Sequence, residues 1–314
     1  MKACSIEVGL SMVDDKTAEL VKKIRKAWKT SDDKRDAGLP HDIPNVKRID
    51  NIQYGSDRNW NLLDLYSSEN VSGKLPVIIN VHGGAWIYGT KATYQYYGLG
   101  LAKRGFAFVN PSYKLGPDVQ FPVELDQVNQ YVHWVDENAD KYNLDRNNVF
   151  MVGDSAGGNL VEQYVACLTN SKYRKKFGYD LTNLKFKAVA LNSPATFLFE
   201  SGILSVEPFA KAVSAYFTPE VMAKPETKDL MQVENYITKD FLPTFLTTAN
   251  RDPIHDCAAR LDGFLKAKGV EEVYKSFGDD QHPEPHVFLI NQKDDLAKRA
   301  NDEEAEFFKK HMKK

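Results

Sequence analysis

An apolar run, Asn148-Val149-Phe150-Met151-Val152, breaks directly into Gly153-Asp154-Ser155-Ala156-Gly157-Gly158. A short β-branched and aromatic segment ending in Gly-x-Ser-x-Gly reads as a strand that turns sharply into a helix, with serine at the apex. Such a turn puts the serine in strained backbone. It also brings the residues two before and two after it too close to neighbouring chain for a β-carbon, which accounts for both glycines. A loop that is merely Gly-rich would explain the composition but not what lies upstream.

Upstream, a second buried-strand run, Pro76-Val77-Ile78-Ile79-Asn80-Val81, ends in His82-Gly83-Gly84-Ala85-Trp86. Acyl transfer needs donors aimed at the oxygen that turns negative in the tetrahedral intermediate, and backbone N–H groups serve best where no side chain obstructs them. A His-Gly-Gly turn ahead of a Gly-x-Ser-x-Gly elbow is the arrangement expected of an oxyanion hole. On this reading Gly83, Gly84 and Ala156 supply its three N–H groups, and His82 orients the loop.

Together these two segments resemble the hormone-sensitive-lipase-like family of α/β-hydrolases, in its microbial esterase branch. Between them, Ser112-Tyr113-Lys114-Leu115-Gly116-Pro117 and Phe121-Pro122 are similar to the family's Tyr-Arg-Leu-Ala-Pro segment. The likeness runs from about residue 45 to about residue 290. It departs at Ala85, where the family usually has a third glycine, and at Lys114, in place of arginine. The resemblance implies an α/β-hydrolase fold with a helical cap, an activity on short-chain acyl or acetyl esters, and a homodimer.

An elbow serine needs a base, and the base needs an orienting carboxylate, in the chain order Ser, Asp or Glu, His. Of the seven histidines, His255, His282, His286 and His311 follow Ser155. His311 lies in a Lys-rich terminal segment and His255 at a helix start. His282 and His286 share a Pro-rich loop after the strand-like run 272–277, and loops at the carboxyl ends of strands carry the functional groups of α/β sheets. His286-Val287-Phe288 matches the family's base histidine, so His286 is favoured over His282. For the carboxylate, Asp252 follows the strand-like run 243–249 and resembles the family's Asp-Pro-Leu motif. Its rival Asp256 reads as an acidic residue in a helix's first turn. Asp154 is taken as structural.

Strand-like and helical segments alternate along the remaining chain. An amphipathic helix is expected over 14–29, with Leu20, Val21, Ile24 and Trp28 on one face, then a polar link at 31–45. Strands are expected at 46–54, 60–66, 76–81, 106–109, 148–152, 187–191, 243–249 and 272–277. This alternation indicates a mostly parallel sheet, eight-stranded in type, with helices on both faces. The segment 197–240 interrupts it and is expected to be a cap insertion, rich in aromatics more suited to packing than to ligand contact. The domain reading is therefore 1–45 as the N-terminal part of the cap, 46–196 with 241–314 as the catalytic domain, and 197–240 as the insertion.

Composition excludes other classes. With 42% hydrophobic and 27% charged residues and a net charge of −2, the chain has ample core and no basic stripe for nucleic acid. The run around Glu7 is a poor signal-peptide core, and no stretch is long enough to span a membrane. Three cysteines, Cys4, Cys167 and Cys257, lack metal-ligand spacing and a disulfide pattern, which points to a reducing, cytoplasmic setting. The chemistry requires no metal and no organic cofactor; the expected partner is a small ester. Two alternatives stay open: an amidase or formamidase with the same three residues, and a non-catalytic small-ligand receptor of the same fold.

Overall fold

The computed structural model describes residues 13–200, 202 and 209–313. Cys4, the N-terminal run around Glu7 and Pro208 lie outside the described residues. Eight strands form one sheet: β1 (Val46–Gln53), β2 (Leu62–Ser68), β3 (Leu75–Val81), β4 (Ala107–Pro111), β5 (Leu144–Asp154), β6 (Phe186–Asn192), β7 (Thr244–Ala249) and β8 (Glu272–Phe277). Their spatial order is β1-β2-β4-β3-β5-β6-β7-β8. β2 runs antiparallel to both β1 and β4, and every other pairing is parallel.

The central strands are apolar on both faces because helices cover both. Val77, Ile79 and Val81 of β3 point into one core layer, together with α3 (Val123–Asn138), α4 (Ala156–Thr169) and α9 (His255–Lys268). Ile78 points the opposite way, into a layer built with α2 (Gln95–Lys103) and α10 (Asp295–Lys310). A period of two within a continuous apolar run is what a doubly covered parallel sheet demands. It also places the carboxyl ends of β3, β5, β6 and β7 side by side at the centre of one edge.

The N-terminal helix is longer than expected. α1 spans Asp15–Asp36, and the stretch after residue 30 is helix rather than link. Asp14 caps it by accepting from the Thr17 N–H at 2.7 Å. Arg35 pairs with Asp32 at 2.8 Å and with Asp36 at 2.6 Å, tying down the last turn until Gly38 takes a φ of +82°. The guanidinium of Arg25 donates to the carbonyls of Ile87 and Gly116, each at 2.7 Å. These bonds dock α1 onto the loops that follow β3 and β4, and Val21 packs with Ala85, Ile87 and Ala215.

Within 197–240 the described residues form short helices: α6 (Phe209–Val213), α7 (Pro219–Met222) and α8 (Pro225–Met231), then a 3₁₀ turn at Val233–Asn235. Between α4 and β6 lies α5 (Ser171–Phe177). Tyr216 and Phe217 of this segment are packing groups. Tyr216 stacks on Trp86 with centroids 6.0 Å apart, and Phe217 meets the same ring edge-on at 4.9 Å. Among the described residues no helix is long and apolar enough to cross a membrane.

One buried acid ties three elements together behind the sheet edge. Glu304 of α10 accepts from the hydroxyl of Tyr97 on α2 at 2.7 Å, and Asn192 of β6 donates to it at 3.4 Å. Burial pushes its carboxyl up to about 7, against those two hydrogen bonds and the charge of Arg104. Between the unfolded value of 4.5 and that folded value, the folded chain keeps a proton the unfolded chain has lost. Stability contributed by this group therefore falls as pH rises through the window, by on the order of 3 kcal/mol. Urea unfolding of Glu304→Gln at about pH 5 and about pH 8 should show that much less loss than the parent; equal losses would contradict it.

Candidate active site

The elbow forms as the sequence demands. Ser155 lies between β5 and α4 with φ 49° and ψ −119°, a conformation that costs a non-glycine residue of order 1–3 kcal/mol. Its neighbours over-determine it. The Ser155 N–H donates to the Asn192 carbonyl at 3.0 Å, and its own carbonyl accepts from Ala195 at 3.0 Å and Asn159 at 3.1 Å. A β-carbon on Gly153 would stand 2.5 Å from the Gly157 carbonyl oxygen, and one on Gly157 would collide with the carbonyl oxygen of Val81. The two glycines thus let α4 start hard against the end of β3.

Asp252 and His286 arrive from neighbouring strand ends. Asp252 follows β7, and the loop after β8 returns beside it through a hydrogen bond from the Arg251 N–H to the Glu284 carbonyl at 3.0 Å. His286 Nδ1 lies 2.8 Å from Asp252 Oδ1, and the carboxylate is fully enclosed. The same oxygen accepts from the Ile254 N–H at 2.9 Å, and Oδ2 accepts from the Thr248 hydroxyl at 3.2 Å. Burial alone would raise this carboxyl. The hydrogen bond and charge of His286, with the donors Ser193 and Ile254, outweigh burial and hold it below the usual carboxylate range. Asp252 is thus poised as an anion that fixes the ring's Nδ1–H and leaves Nε2 as the basic nitrogen.

The competing residues lie elsewhere. His282 is exposed near Asp279, and Asp256 is fully exposed beside His255. His311 packs on Phe307 beyond the far end of α10. Ser155 and His286 line one cavity of about 460 Å³, together with Gly84, Ala85, Tyr94 and Asp154. Its roof is α1, through Trp28, Asp32 and Arg35. The Tyr88 hydroxyl donates to Asp32 at 2.6 Å, and these two side chains also wall a neighbouring cavity of about 630 Å³ that lacks Ser155.

The glycine turn corrects one expectation. The Gly83 N–H is not available to an oxyanion, because it donates to Asp154 Oδ1 at 3.0 Å and lies 2.9 Å from the Tyr94 hydroxyl. Asp154 is the structural partner that takes it. Burial raises the Asp154 carboxyl to about 6, against the Tyr94 hydrogen bond and the charge of His286. The next two residues turn the other way: Gly84 has φ +118° and Ala85 φ +51°, and both face the cavity. Among the described residues no acceptor takes either N–H. His82 braces the turn from behind. Its ring stacks on Tyr113 at 3.9 Å and its Nδ1 bonds the Gly83 carbonyl at 2.8 Å, while burial lowers its pKa to about 4, so the ring is neutral.

Sequence reasoning did not single out Tyr94, Asp32 and Arg35 of α1 above the cavity, or Ser193. Ser193 did leave a signal. It follows an apolar strand and precedes a proline, Asn192-Ser193-Pro194, much as Asp252 follows β7 and precedes Pro253.

The BD-FAE family pattern matches residues 63–259, well over half the chain. The chain belongs to the BD-FAE family. That places it among the hormone-sensitive-lipase-like α/β-hydrolases. It is 26% identical over 244 residues to the versiconal hemiacetal acetate esterase of Dothistroma septosporum, covering 72% of this chain and 70% of that one. It is 30% identical over 148 residues to a putative α/β hydrolase of Acanthamoeba polyphaga mimivirus, across 47% of this chain and 42% of the viral protein. The chain thus spans less than half the length of that relative. Among solved structures, esterase B of Lactobacillus rhamnosis superposes with a TM-score of 0.84 at 22% identity, covering 95% of this chain and 96% of that one. This likeness establishes the α/β-hydrolase fold.

The packing at the elbow can be tested by two glycine substitutions in helices. Gly157→Ala drives a methyl into the Val81 and His82 carbonyls and should destabilise the BD-FAE chain by about 2–4 kcal/mol. Gly263→Ala in α9 meets nothing within 4 Å and should stabilise it by about 0.5–1 kcal/mol. Denaturant melts of the two variants should move in opposite directions, and a shared sign would refute the account of the elbow.

Proposed function

We propose that this BD-FAE chain is a serine carboxylesterase that hydrolyses short-chain acyl esters through an acyl-enzyme on Ser155. The observation that carries the reading is the His286–Asp252 pair, 2.8 Å apart, opening into the cavity that holds the elbow serine. His286 takes the proton of Ser155 as the hydroxyl attacks the ester carbonyl. Asp252 stays ionised and holds the imidazole in the required tautomer. The N–H groups of Gly84, Ala85 and Ala156 receive the developing oxyanion, with Ala85 in the place expected of Gly83. His286 then protonates the leaving alcohol, and a water repeats the sequence on the acyl-enzyme.

The cavity supports small esters. About 460 Å³ suits a compact ligand, and its walls present mostly apolar surface beside the oxyanion donors. α1 and the segment 197–240 together act as the cap. The odd cysteine count favours a reducing, cytoplasmic setting.

An organophosphonate probe should add to Ser155 in the parent, read by mass spectrometry, and should fail to add to Ser155→Ala. On a p-nitrophenyl series from acetate to decanoate, Ser155→Ala and His286→Ala should each lose at least about a thousandfold in kcat, with the shortest esters turned over best in the parent. A p-nitroanilide run alongside separates ester from amide chemistry. Faster turnover of the anilide than of every ester would overturn the esterase reading, and absence of any adduct would favour a non-catalytic receptor.

A further inference from the structure

Two cavities meet beside α1, and the wall between them takes no part in the chemistry described above. The cavity of about 460 Å³ holds Ser155 and His286, and the one of about 630 Å³ holds neither. Asp32, Tyr88 and Thr93 line both. Beyond them the second cavity is lined by Trp60, Ala92, Tyr96 and Leu115 among others.

One chain of hydrogen bonds holds the shared wall together. The Tyr88 hydroxyl donates to Asp32 Oδ2 at 2.6 Å, and the Arg35 guanidinium donates to Asp32 Oδ1 at 2.8 Å. Another nitrogen of Arg35 donates to the Thr93 carbonyl at 3.1 Å. The Tyr88 ring also meets Trp28 edge-on, with centroids 5.5 Å apart. Its backbone is fixed as well: its N–H donates to the Gly84 carbonyl at 2.9 Å, within the turn that carries the proposed oxyanion donors. Groups from α1, that turn and the residues before α2 are thus closed on one another. Bonds to a carboxylate and from a guanidinium are the strong kind, so this wall resists a ligand better than a free side chain would.

The wall stands on the acyl side. In the proposed mechanism the leaving oxygen lies beside His286, so the alcohol part of an ester occupies the end lined by Pro285, His286 and Val287. Among the described residues, none of that loop lines the second cavity. With the carbonyl oxygen held by the oxyanion donors, the acyl chain is left to point away from His286, toward Tyr88 and Asp32.

We propose that Asp32 and Tyr88 are specificity-determining residues, whose hydrogen bond closes the acyl end of the site and sets the longest acyl chain it takes. The inference deepens the esterase reading and rests on it. Opening the wall joins the two cavities, and chains that the parent rejects then extend into the space lined by Trp60 and Tyr96.

Tyr88→Ala removes the ring from the wall, and Asp32→Ala removes its partner on α1 while placing a good helix former there. On the p-nitrophenyl series, each should raise the ratio of kcat/KM on decanoate to that on acetate by at least about tenfold. Tyr88→Phe, which keeps the ring and drops the bond, should fall between the parent and Tyr88→Ala. Ala92 lines the second cavity and not the first. Ala92→Trp should therefore leave the parent's chain-length profile alone but cancel the gain when added to Tyr88→Ala. Alkyl acetates of growing alcohol length should keep the parent's order in every variant, because the alcohol lies on the His286 side. An active parent whose ratio stays within about twofold in both alanine variants would overturn this proposal alone, as would a gain confined to the alkyl acetates. A parent that neither hydrolyses esters nor labels at Ser155 would overturn it together with the esterase reading.

Discussion

The site depends on how closely α4 begins against the end of β3. That approach is set by Gly153 and Gly157, where a methyl group would strike backbone carbonyls that cannot yield. With α4 in place, Ser155 has no room for a relaxed backbone and is held at φ 49° with its side chain over the sheet edge. The strain persists because the Asn192 carbonyl and the Ala195 N–H bind both sides of the serine's peptide. Loosening this junction would move the serine, the helix N-terminus and the glycine turn together, since Gly157 abuts His82 and Asp154 binds Gly83.

A polar layer behind the junction fixes it further. Thr247 of β7 donates to the Asn192 side chain at 2.7 Å, and the same side chain reaches Glu304 and Tyr97 on the far face. Such a buried network contributes more by fixing one arrangement than by net stability. Here it ties β6, whose Asn192 carbonyl holds the Ser155 N–H, to β7, whose exit carries Asp252, and anchors both to α2 and α10. Burial in that layer raises the Glu304 carboxyl to about 7, against the hydrogen bonds of Tyr97 and Asn192.

Much of this was legible in the sequence, for identifiable reasons. The strands of the sheet read correctly because double coverage makes them continuous apolar runs bounded by polar residues. Chain order and strand ends single out Ser155, Asp252 and His286; the structure puts the last two 2.8 Å apart and lines one cavity with Ser155 and His286. The length of α1 was misread because its final turn has no apolar periodicity; ion pairs of Arg35 with Asp32 and Asp36 hold it instead.

The misassigned donor is the most instructive case. Glycines mark where backbone can approach a ligand, but whether an N–H is available depends on its competitors. The competitor of Gly83 is Asp154, 71 residues away in the chain. Removing Gly83 from the set shifts the burden to Ala85, a residue without glycine's freedom, at φ 51°, followed by Trp86 at φ 59°. Left-handed backbone at two successive non-glycine residues costs roughly 1–2 kcal/mol each. Burial offsets it: Ala85 packs in one cluster with Val21, Ile87 and Ala215, and the Trp86 ring packs on both Tyr216 and Phe217. The direction of the proposed oxyanion donors is therefore held from outside the sheet, by α1 and the inserted segment. A chain lacking those two elements would keep its serine, acid and base but lose the contacts that hold the turn in its costly conformation.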